Sequence, residues 1–338
     1  MAELITELAR PVAEATIAPH GPPLVDVQNV TVRFRRKRTL ASLMAKTPLT
    51  FRAVAEADMV IARQEVVGLV GESGSGKTTL GRTILRLYEP AEGAIVFEGE
   101  PITHLREGQL RAVWRRMSLV FQDPLSSLNP RHTIRTALAA PLLVHEKLAA
   151  SAREDRVREA LGRVGLPGDV LERYPHELSG GQLQRVALAR ALMLNPALLI
   201  ADEAVSKLDV SVRSQILNLF KDLQETLNIS FLFITHDLHV ARYISDRIVV
   251  MFFGRIIESA PARELFRAPR HPYTKALLGT IDEGDEPALQ QARNSVDPDA
   301  QGCIYQSRCP RRLPRCAEAH PPTGMVGREH TLACFNPL

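Results

Sequence analysis

Short apolar runs alternate with longer amphipathic stretches along most of the chain. The runs have the length of strands and are rich in Val, Ile and Phe, whereas apolar residues in the stretches recur at helical spacing. This order predicts an α/β fold with a mostly parallel sheet that helices cover on both faces. The predicted strands are 25–34, 66–70, 94–97, 118–121, 198–201, 231–234 and 248–253, and the predicted helices follow Lys77 or cover 153–164, 182–194 and 212–227.

Three parts of the chain depart from this alternation. Residues 1–23 resemble a flexible arm, and the basic run 35–38 opens a polar insertion that reaches about residue 48. We interpret the insertion as a solvated loop, with contact to lipid headgroups or a partner as the alternative. From about residue 282 the chain is rich in Pro, Asp and Gln and carries all four cysteines. The predicted parts are therefore the arm 1–23, a core 24–260 and an extension 261–338.

Composition narrows the class of protein. The chain has 338 residues, of which 45% are hydrophobic and 24% charged, as in ordinary folded domains rather than disordered or fibrous chains. No apolar run approaches the roughly 20 residues of a membrane helix, and no secretory signal opens the sequence, so we expect a cytosolic protein. The formal net charge of +4 suits anionic ligands or a lipid surface but is too small to indicate nucleic acid.

A glycine-rich segment follows the predicted strand 66–70 and matches G-x-x-x-x-G-K-[ST]. Its glycines allow backbone N–H groups to surround phosphate oxygens, and the helix that follows presents its positive N-terminus. Lys77 is expected to reach the β- and γ-phosphates, and the Thr78 hydroxyl to bind Mg²⁺. The residues expected to contact a nucleoside triphosphate here are Gly71, Ser73, Gly74, Ser75, Gly76, Lys77, Thr78 and Thr79.

Two carboxylates, Asp202 and Glu203, end the apolar strand 198–201. Ligands of open α/β sheets bind at this end of the strands. We predict that Asp202 holds Mg²⁺ and that Glu203 deprotonates the attacking water. An Asp–Glu pair by itself is equally consistent with two acids that begin a helix, and the phosphate loop is what favours catalysis.

A third motif, Leu-Ser-Gly-Gly-Gln at 178–182, directly precedes a predicted helix, so that Ser179 can cap it and its first amides can face an anion. Together with the phosphate loop and the Asp–Glu strand, this motif resembles the ATPase subunit of an ABC transporter. The resemblance covers roughly residues 24–260. It implies a P-loop NTPase (RecA-like) core with a helical subdomain at about 124–180 and a small Cys-containing C-terminal extension. The signature residues expected at ATP are Ser179, Gly180, Gly181 and Gln182.

The remaining family motifs follow in order. Gln122 matches the Q-loop, which also reaches Mg²⁺, Asp209 the D-loop, and His236 the switch histidine. Phe34 matches the aromatic residue that stacks on adenine, with Phe51 beyond the insertion as the alternative. The resemblance implies that Glu203, His236 and Gln122 are catalytic. Lys207 occupies a D-loop position that is usually small, and it either pairs with an acid of the partner or weakens dimer closure.

The resemblance also implies partners. In the family two ATPase subunits pair head-to-tail, so that ATP lies between the phosphate loop of one and the signature of the other. We therefore expect a second ATPase subunit, most simply in a heterodimer, and two transmembrane permeases. An extracytoplasmic solute-binding protein would act indirectly. The chain would lie peripherally on the cytoplasmic face of the membrane and would not bind nucleic acid.

Further segments resemble the dipeptide/oligopeptide importer branch, in particular its second ATPase subunit. They are Thr-Leu-Gly-Arg at 79–82, Phe-Gln-Asp-Pro at 121–124, Tyr-Pro-His-Glu at 174–177 and His-Pro-Tyr-Thr at 271–274. This branch implies ATP-driven import of peptides or a related small solute. The alternatives are a soluble ABC ATPase that acts on nucleic acid or ribosomes, and an exporter ATPase.

The four cysteines, Cys303, Cys309, Cys316 and Cys334, lie in the spacing C-x5-C-x6-C-x17-C. This spacing lacks the close pairs of a zinc ribbon, and a reducing cytosol disfavours disulfides. The segment has few apolar residues to form a core, so a bound metal centre could supply its fold. Similar tails in the importer branch carry a [4Fe–4S] cluster, which four thiolates would hold. Zinc and unligated thiols remain the alternatives.

Overall fold

The computed structural model describes residues 22–35, 50–283 and 301–338. Most of the predicted arm and of the polar insertion lies outside these ranges. The described chain contains two sheets, one of eight strands in the order β11-β12-β10-β9-β3-β8-β7-β6 and one of four in the order β2-β1-β4-β5. The strands are β1 Val25–Arg35, β2 Thr50–Ile61, β3 Val66–Val70, β4 Glu92–Phe97, β5 Glu100–Pro101, β6 Met117–Val120, β7 Leu198–Asp202, β8 Ser230–Ile234, β9 Arg247–Phe252, β10 Arg255–Pro261, β11 Gly324–Gly327 and β12 His330–Leu332.

Five consecutive strands of the large sheet are parallel, as predicted, and they reach from its middle to the edge at β6. Strands β6, β7, β8, β3 and β9 pair in parallel, whereas β10, β12 and β11 extend one edge with antiparallel pairs. The second sheet is wholly antiparallel. The expectation of a mostly parallel sheet therefore holds for these five strands and not for the antiparallel strands.

Helices cover the large sheet because side chains of its buried strands alternate between two faces. The helices are α1 Lys77–Ile84, α2 Glu107–Arg116, α3 Ile134–His145, α4 Ala150–Arg163, α5 Gly180–Leu192, α6 Val210–Leu227, α7 Leu238–Ile244, α8 Ala262–Arg267, α9 Pro272–Glu283 and α10 Arg315–Glu318. On β7, Leu199 and Ala201 join an apolar cluster with helices α3 to α6, while Leu198 and Ile200 join another with α1 and the antiparallel sheet.

Residues Ser151 to Glu154 match the capping pattern S-x-x-E, which predicts a helix that begins directly after Ser151, but α4 begins earlier, at Ala150. Ser151 lies inside the helix, Ala149 occupies the cap position, and no side chain caps it. The Glu154 carboxylate instead pairs with Arg135 and Arg158. Glu154 therefore forms ion pairs, one of them with Arg135 of α3, instead of the cap hydrogen bond that the local pattern predicts.

The extension forms part of the core rather than an appendage without apolar packing. β12 pairs with β10 in the large sheet, and Ile304 and Tyr305 are buried in one cluster with Phe252 of β9 and Tyr273 of α9. Aromatic ring contacts link Tyr305 to both of these rings at centroid distances of 5.3 and 5.4 Å. The few apolar residues of this segment therefore pack onto the core of the main sheet, and the expectation that a bound metal centre supplies its fold stays a prediction.

Candidate nucleotide site

The predicted phosphate loop connects β3 to α1 and has a backbone that only glycine can adopt at two points. Gly71 and Gly76 have φ angles of +149° and +102°. A Cβ on Gly71 would lie 2.0 Å from the Met251 carbonyl oxygen, and one on Gly76 would lie 2.3 Å from that of Ala53. Strands β9 and β2 thus press on the loop from outside and leave its inner side lined by backbone.

Lys77 lies at the first position of α1, and its ammonium group turns back into the loop. Its Nζ donates hydrogen bonds of 2.8 Å to the carbonyl oxygens of Gly71 and Glu72, and it lies 3.4 Å from the Ser75 hydroxyl. The side chain is buried. A buried cation held by carbonyl oxygens at a helix N-terminus is a suitable binding partner for an anion.

The two residues predicted to bind Mg²⁺ lie side by side. The Thr78 hydroxyl donates a 2.7 Å hydrogen bond to Asp202 Oδ1, and Arg82 lies 3.6 Å from Asp202 Oδ2. Burial raises the pKa of Asp202, against the opposing effects of Thr78 and Arg82. No group of three or more His, Cys, Asp or Glu residues in the described ranges is arranged to hold a metal ion. A hydroxyl and one carboxylate nevertheless match Mg²⁺ sites completed by substrate phosphates.

Glu203 lies one residue beyond β7, with its backbone in the left-handed region at φ +50°. This conformation costs an ordinary residue about 1 kcal/mol. It is held by a 2.9 Å hydrogen bond from the Glu203 N–H to the Ile234 carbonyl of β8. Gln122 donates a 2.6 Å hydrogen bond to Glu203 Oε2, and His236 Nδ1 lies 3.2 Å from Glu203 Oε1. Two of the three residues predicted to be catalytic, Gln122 and His236, therefore both contact the third, Glu203.

The signature motif forms the start of α5. Ser179 and Gln182 cap the helix reciprocally, with distances of 3.3 Å from the Gln182 N–H to the Ser179 hydroxyl and 3.0 Å in the reverse pair. A Cβ on Gly181 would lie 2.6 Å from Val212, while one on Gly180 would lie 3.9 Å from Leu208. The signature thus packs against the D-loop side of the same chain and leaves the first turn of α5 exposed at Ser179 and Gly180.

Asp209, the predicted D-loop residue, precedes α6 as its N-cap without a side-chain cap bond. Phe34 ends β1 and pairs across the strands with Phe51. The Phe34 ring is 5.9 Å from that of Phe51 and 5.3 Å, edge-on, from that of Tyr88. Both candidate adenine-stacking rings therefore belong to one aromatic group at the edge of the antiparallel sheet.

The four cysteines converge in the extension. The Cys303 N–H donates a 2.7 Å hydrogen bond to the Cys316 carbonyl. Burial raises the pKa of the Cys303 thiol to about 11, and the other three thiols add to this effect. Burial likewise raises the pKa values of Cys309 and Cys334, both of which Cys316 influences. The four thiols therefore lie in one partly buried region of the extension.

Sequence comparisons agree with these motifs. The family profile described as ABC transporter matches residues 54–206, and that described as oligopeptide/dipeptide transporter, C-terminal region, matches residues 257–316. The oligopeptide transport ATP-binding protein AppF of Bacillus subtilis is 44% identical over 292 residues, which cover 84% of this chain and 89% of AppF. A Brucella ovis protein, provisionally named a peptide import ATP-binding protein, is 45% identical over 88% of this chain and 96% of its own.

The chain belongs to the ATP-binding subunits of ABC transporters, in their oligopeptide/dipeptide branch. Solved structures of such ATPases agree in fold. The ATP-binding cassette MJ0796, in a dimeric post-hydrolysis state bound to ADP and phosphate, superimposes with a TM-score of 0.63 at 29% identity. The match covers 71% of this chain and 99% of MJ0796.

Two arginines of this ABC subunit touch the site although sequence motifs did not single them out for a role. Arg82 follows Thr78 by four residues, so both lie on the same face of α1. Because Thr78 is predicted to share a Mg²⁺ site with Asp202, this spacing could have predicted that Arg82 also lies near Asp202. Arg213 bridges the Leu208 carbonyl of the D-loop and the Asp237 carboxylate, at 3.3 and 3.0 Å. No local spacing relates Arg213 to Asp237, because the rest of α6 and the whole of β8 lie between them in sequence.

Proposed function

We propose that this chain hydrolyses ATP to drive the import of peptides or a related small solute across the cytoplasmic membrane. The convergence of Thr78, Asp202, Glu203, Gln122 and His236 at one end of the parallel strands is the observation that carries the proposal. The oligopeptide/dipeptide C-terminal match and the names of the relatives favour import over export or action on nucleic acid.

The site residues divide the chemistry among them. The phosphate loop binds the triphosphate, with Lys77 exchanging its bonds to loop carbonyls for bonds to the β- and γ-phosphates. Thr78 and Asp202, with Gln122, would hold Mg²⁺, which neutralises charge on phosphate oxygens. Glu203 takes the proton of the attacking water, and His236 and Gln122 orient that carboxylate through the contacts they already make with it.

A second ATPase subunit completes the site. Ser179 to Gln182 lie against the D-loop side of their own chain, and the exposed first turn of α5 offers backbone amides to a phosphate bound by a partner. We therefore propose a head-to-tail dimer, with Asp209 and Lys207 at its seam, and a heterodimer as its form. Phe34 stacks on adenine, with Phe51 beside it as the alternative.

The permeases would dock on the helical subdomain at about 124–180. A groove between this subdomain and the sheet is lined by Trp114, Phe121, Pro141 and Val144, and Leu143 and Val144 of α3 are exposed apolar residues beside it. An amphipathic helix on the cytoplasmic side of a permease fits such a groove. This docking places the chain peripherally on the cytoplasmic face, with a solute-binding protein acting from the other side. No helix of the described ranges is both long and apolar enough to span a bilayer.

We propose that the four thiols of the extension hold a [4Fe–4S] cluster, since four thiolates are the donor set that such a cluster needs. Each thiol faces a backbone N–H group: Tyr305 for Cys303, Arg311 for Cys309, Leu313 for Cys316 and Asn336 for Cys334. Such N–H groups stabilise cluster thiolates. No group of three or more His, Cys, Asp or Glu residues in the described ranges is arranged to hold a single metal ion. A cluster differs from a single ion in that its four thiolates bind four separate iron atoms. We propose that the cluster is structural or regulatory, because ATP hydrolysis needs no electron.

Measuring ATP hydrolysis by this chain alone and in the complete importer tests the proposed function. We expect a low rate for the chain alone and a large increase once the second ATPase subunit and the permeases are present. A further increase should follow when a peptide-loaded solute-binding protein is added. An equal rate per site for the isolated chain, or no hydrolysis by the complete complex, would contradict the proposal.

A further inference from the structure

The C-terminal extension reaches the phosphate loop at Glu72. The Glu72 N–H donates a 3.2 Å hydrogen bond to the hydroxyl of Tyr273, and Arg308 Nη1 donates to Glu72 Oε1 at 3.3 Å. These partners lie 201 and 236 residues downstream of Glu72. The second residue of the loop is therefore held, through both its backbone and its side chain, by the extension.

The Arg308–Glu72 ion pair is buried, so solvent screens the two charges only weakly. The side chains are only 9% and 8% exposed, so removal of either charge leaves the other poorly compensated. The Arg308 guanidinium lies 5.6 Å from the centre of the Phe252 ring. Its Nε and Nη2 atoms have no hydrogen-bond partner among the described residues. The ring and the Glu72 carboxylate therefore set the orientation of this guanidinium.

Glu72 in turn positions the residues that face phosphate. Its carbonyl oxygen accepts the 2.8 Å hydrogen bond from Lys77 Nζ and one of 3.1 Å from the Ser75 N–H. A displacement of Glu72 would therefore move the ammonium group and an amide of the loop. Small errors in the placement of such groups weaken binding strongly, because a preorganised site is disturbed.

Arg308 belongs to the turn that carries two of the thiols. The Arg308 N–H donates to the Tyr305 carbonyl and the Gln306 N–H to the Cys303 carbonyl, at 3.1 and 3.0 Å. The Tyr305 ring packs on Tyr273. The turn and α9 thus act on Glu72 as one packed unit.

We propose that Arg308 and Tyr273 are positioning residues for the phosphate loop, so that the packing of the thiol-bearing segment sets the affinity for nucleoside triphosphate. This inference rests on the proposed role of the loop in binding ATP. It holds whether or not the thiols bind metal. Because linkage is reciprocal, ATP binding should also stabilise the segment that contains Arg308.

Binding of a fluorescent ATP analogue to the full chain tests the proposal. Arg308→Met, which keeps the apolar stem, should weaken binding about tenfold, within the range of coupling residues. Arg315→Met is the matched control, because Arg315 lies in the same segment but packs on Phe335. It should bind as the wild type does. In Glu72→Gln combined with Arg308→Met, the loss should be less than the product of the single losses.

Hydrogen exchange supplies a readout that a merely structural role would not change. ATP should slow amide exchange in residues 303–316 of the wild type but not of the Arg308→Met chain. If Arg308→Met does not fold, Tyr273→Phe removes only one hydroxyl and should weaken binding in the same direction. A wild type that fails to bind ATP would overturn the proposed function. A folded Arg308→Met or Tyr273→Phe chain with wild-type affinity would overturn this inference alone.

Discussion

The Thr78 hydroxyl and the Asp202 carboxylate, 124 residues apart in sequence, are joined by a 2.7 Å hydrogen bond. Strands β3 and β7 are separated by β8 in the sheet, and all three run parallel, so their carboxyl ends meet at one edge. This hydrogen bond is therefore a direct consequence of the topology, which brings the phosphate loop next to the strand that carries the carboxylates. The topology also brings Glu203, the next residue and our proposed general base, to the same edge of the sheet.

Replacement of the proposed general base should separate hydrolysis from binding. Glu203→Gln keeps the side-chain shape but cannot accept the proton of water, so ATP hydrolysis in the assembled importer should fall by at least about 10²-fold. ATP affinity should change little, and the ATP-closed dimer should accumulate. Glu225→Gln, at an exposed position of α6, is the control and should hydrolyse normally. Wild-type hydrolysis by Glu203→Gln would refute the assigned role.

The signature glycines should differ in their tolerance of a methyl group. Gly181→Ala places a Cβ 2.6 Å from Val212 Cγ1, so the free energy of unfolding should fall by about 1–3 kcal/mol, as for overpacked cores. Gly180→Ala, whose nearest neighbour lies 3.9 Å away, should be tolerated. Val212→Ala added to Gly181→Ala should restore most of the stability in urea unfolding. Equal effects of the two glycine substitutions would show that this contact is not responsible.

The extension should lose stability in mild acid. Burial lowers the pKa of His271 to about 3 and that of His320 to about 4, whereas unfolded histidine titrates near 6.5. The unfolded chain therefore binds more protons than the folded one below about pH 6.5, and stability falls as the pH decreases through that window. The loss should be about 2 kcal/mol per histidine at pH 5, because the unfolded imidazole is then almost fully protonated and the folded one is not.

Urea midpoints at pH 7.5 and pH 5.0 measure this effect. His320→Leu removes one of the two buried imidazoles, so its midpoint should fall less between these pH values than that of the wild type. The Arg255 and Glu56 side chains, which influence His320, remain in place in this variant. An unchanged difference between the midpoints would mean that His320 does not take up a proton on unfolding.

The cysteines should bind iron and sulfide. Protein purified without oxygen should be brown, absorb broadly near about 400 nm and contain about four irons per chain, as ligation by four thiolates requires. Cys334→Ser should lose much of this absorbance, while Ser307→Ala, in the same segment, should keep it. Colourless protein with stoichiometric zinc, or with four titratable thiols, would exclude the cluster and leave the ATPase function untouched.

The sequence allowed the parallel strands to be predicted together with the phosphate loop, Gln122 and the Asp–Glu pair at their ends. Each of these three motifs directly follows an apolar run. It missed β2, whose Ala, Glu and Asp residues have low strand preference and which is held by pairing with β1. It also missed α3, because Pro141 inside a helical pattern usually marks its end. The Arg308–Glu72 pair joins positions 236 residues apart, and no local spacing encodes such a contact.

Peptide uptake into vesicles is the most direct measurement of the central claim. Vesicles should contain this chain with its second ATPase subunit and the two permeases, with the solute-binding protein supplied on the opposite side, and both peptide accumulation and ATP consumption should be followed. The account predicts that wild-type vesicles show both, and that Lys77→Ala vesicles lose both because the triphosphate is no longer held. Peptide accumulation that persists in Lys77→Ala vesicles, or wild-type ATP consumption without any peptide transport, would contradict it.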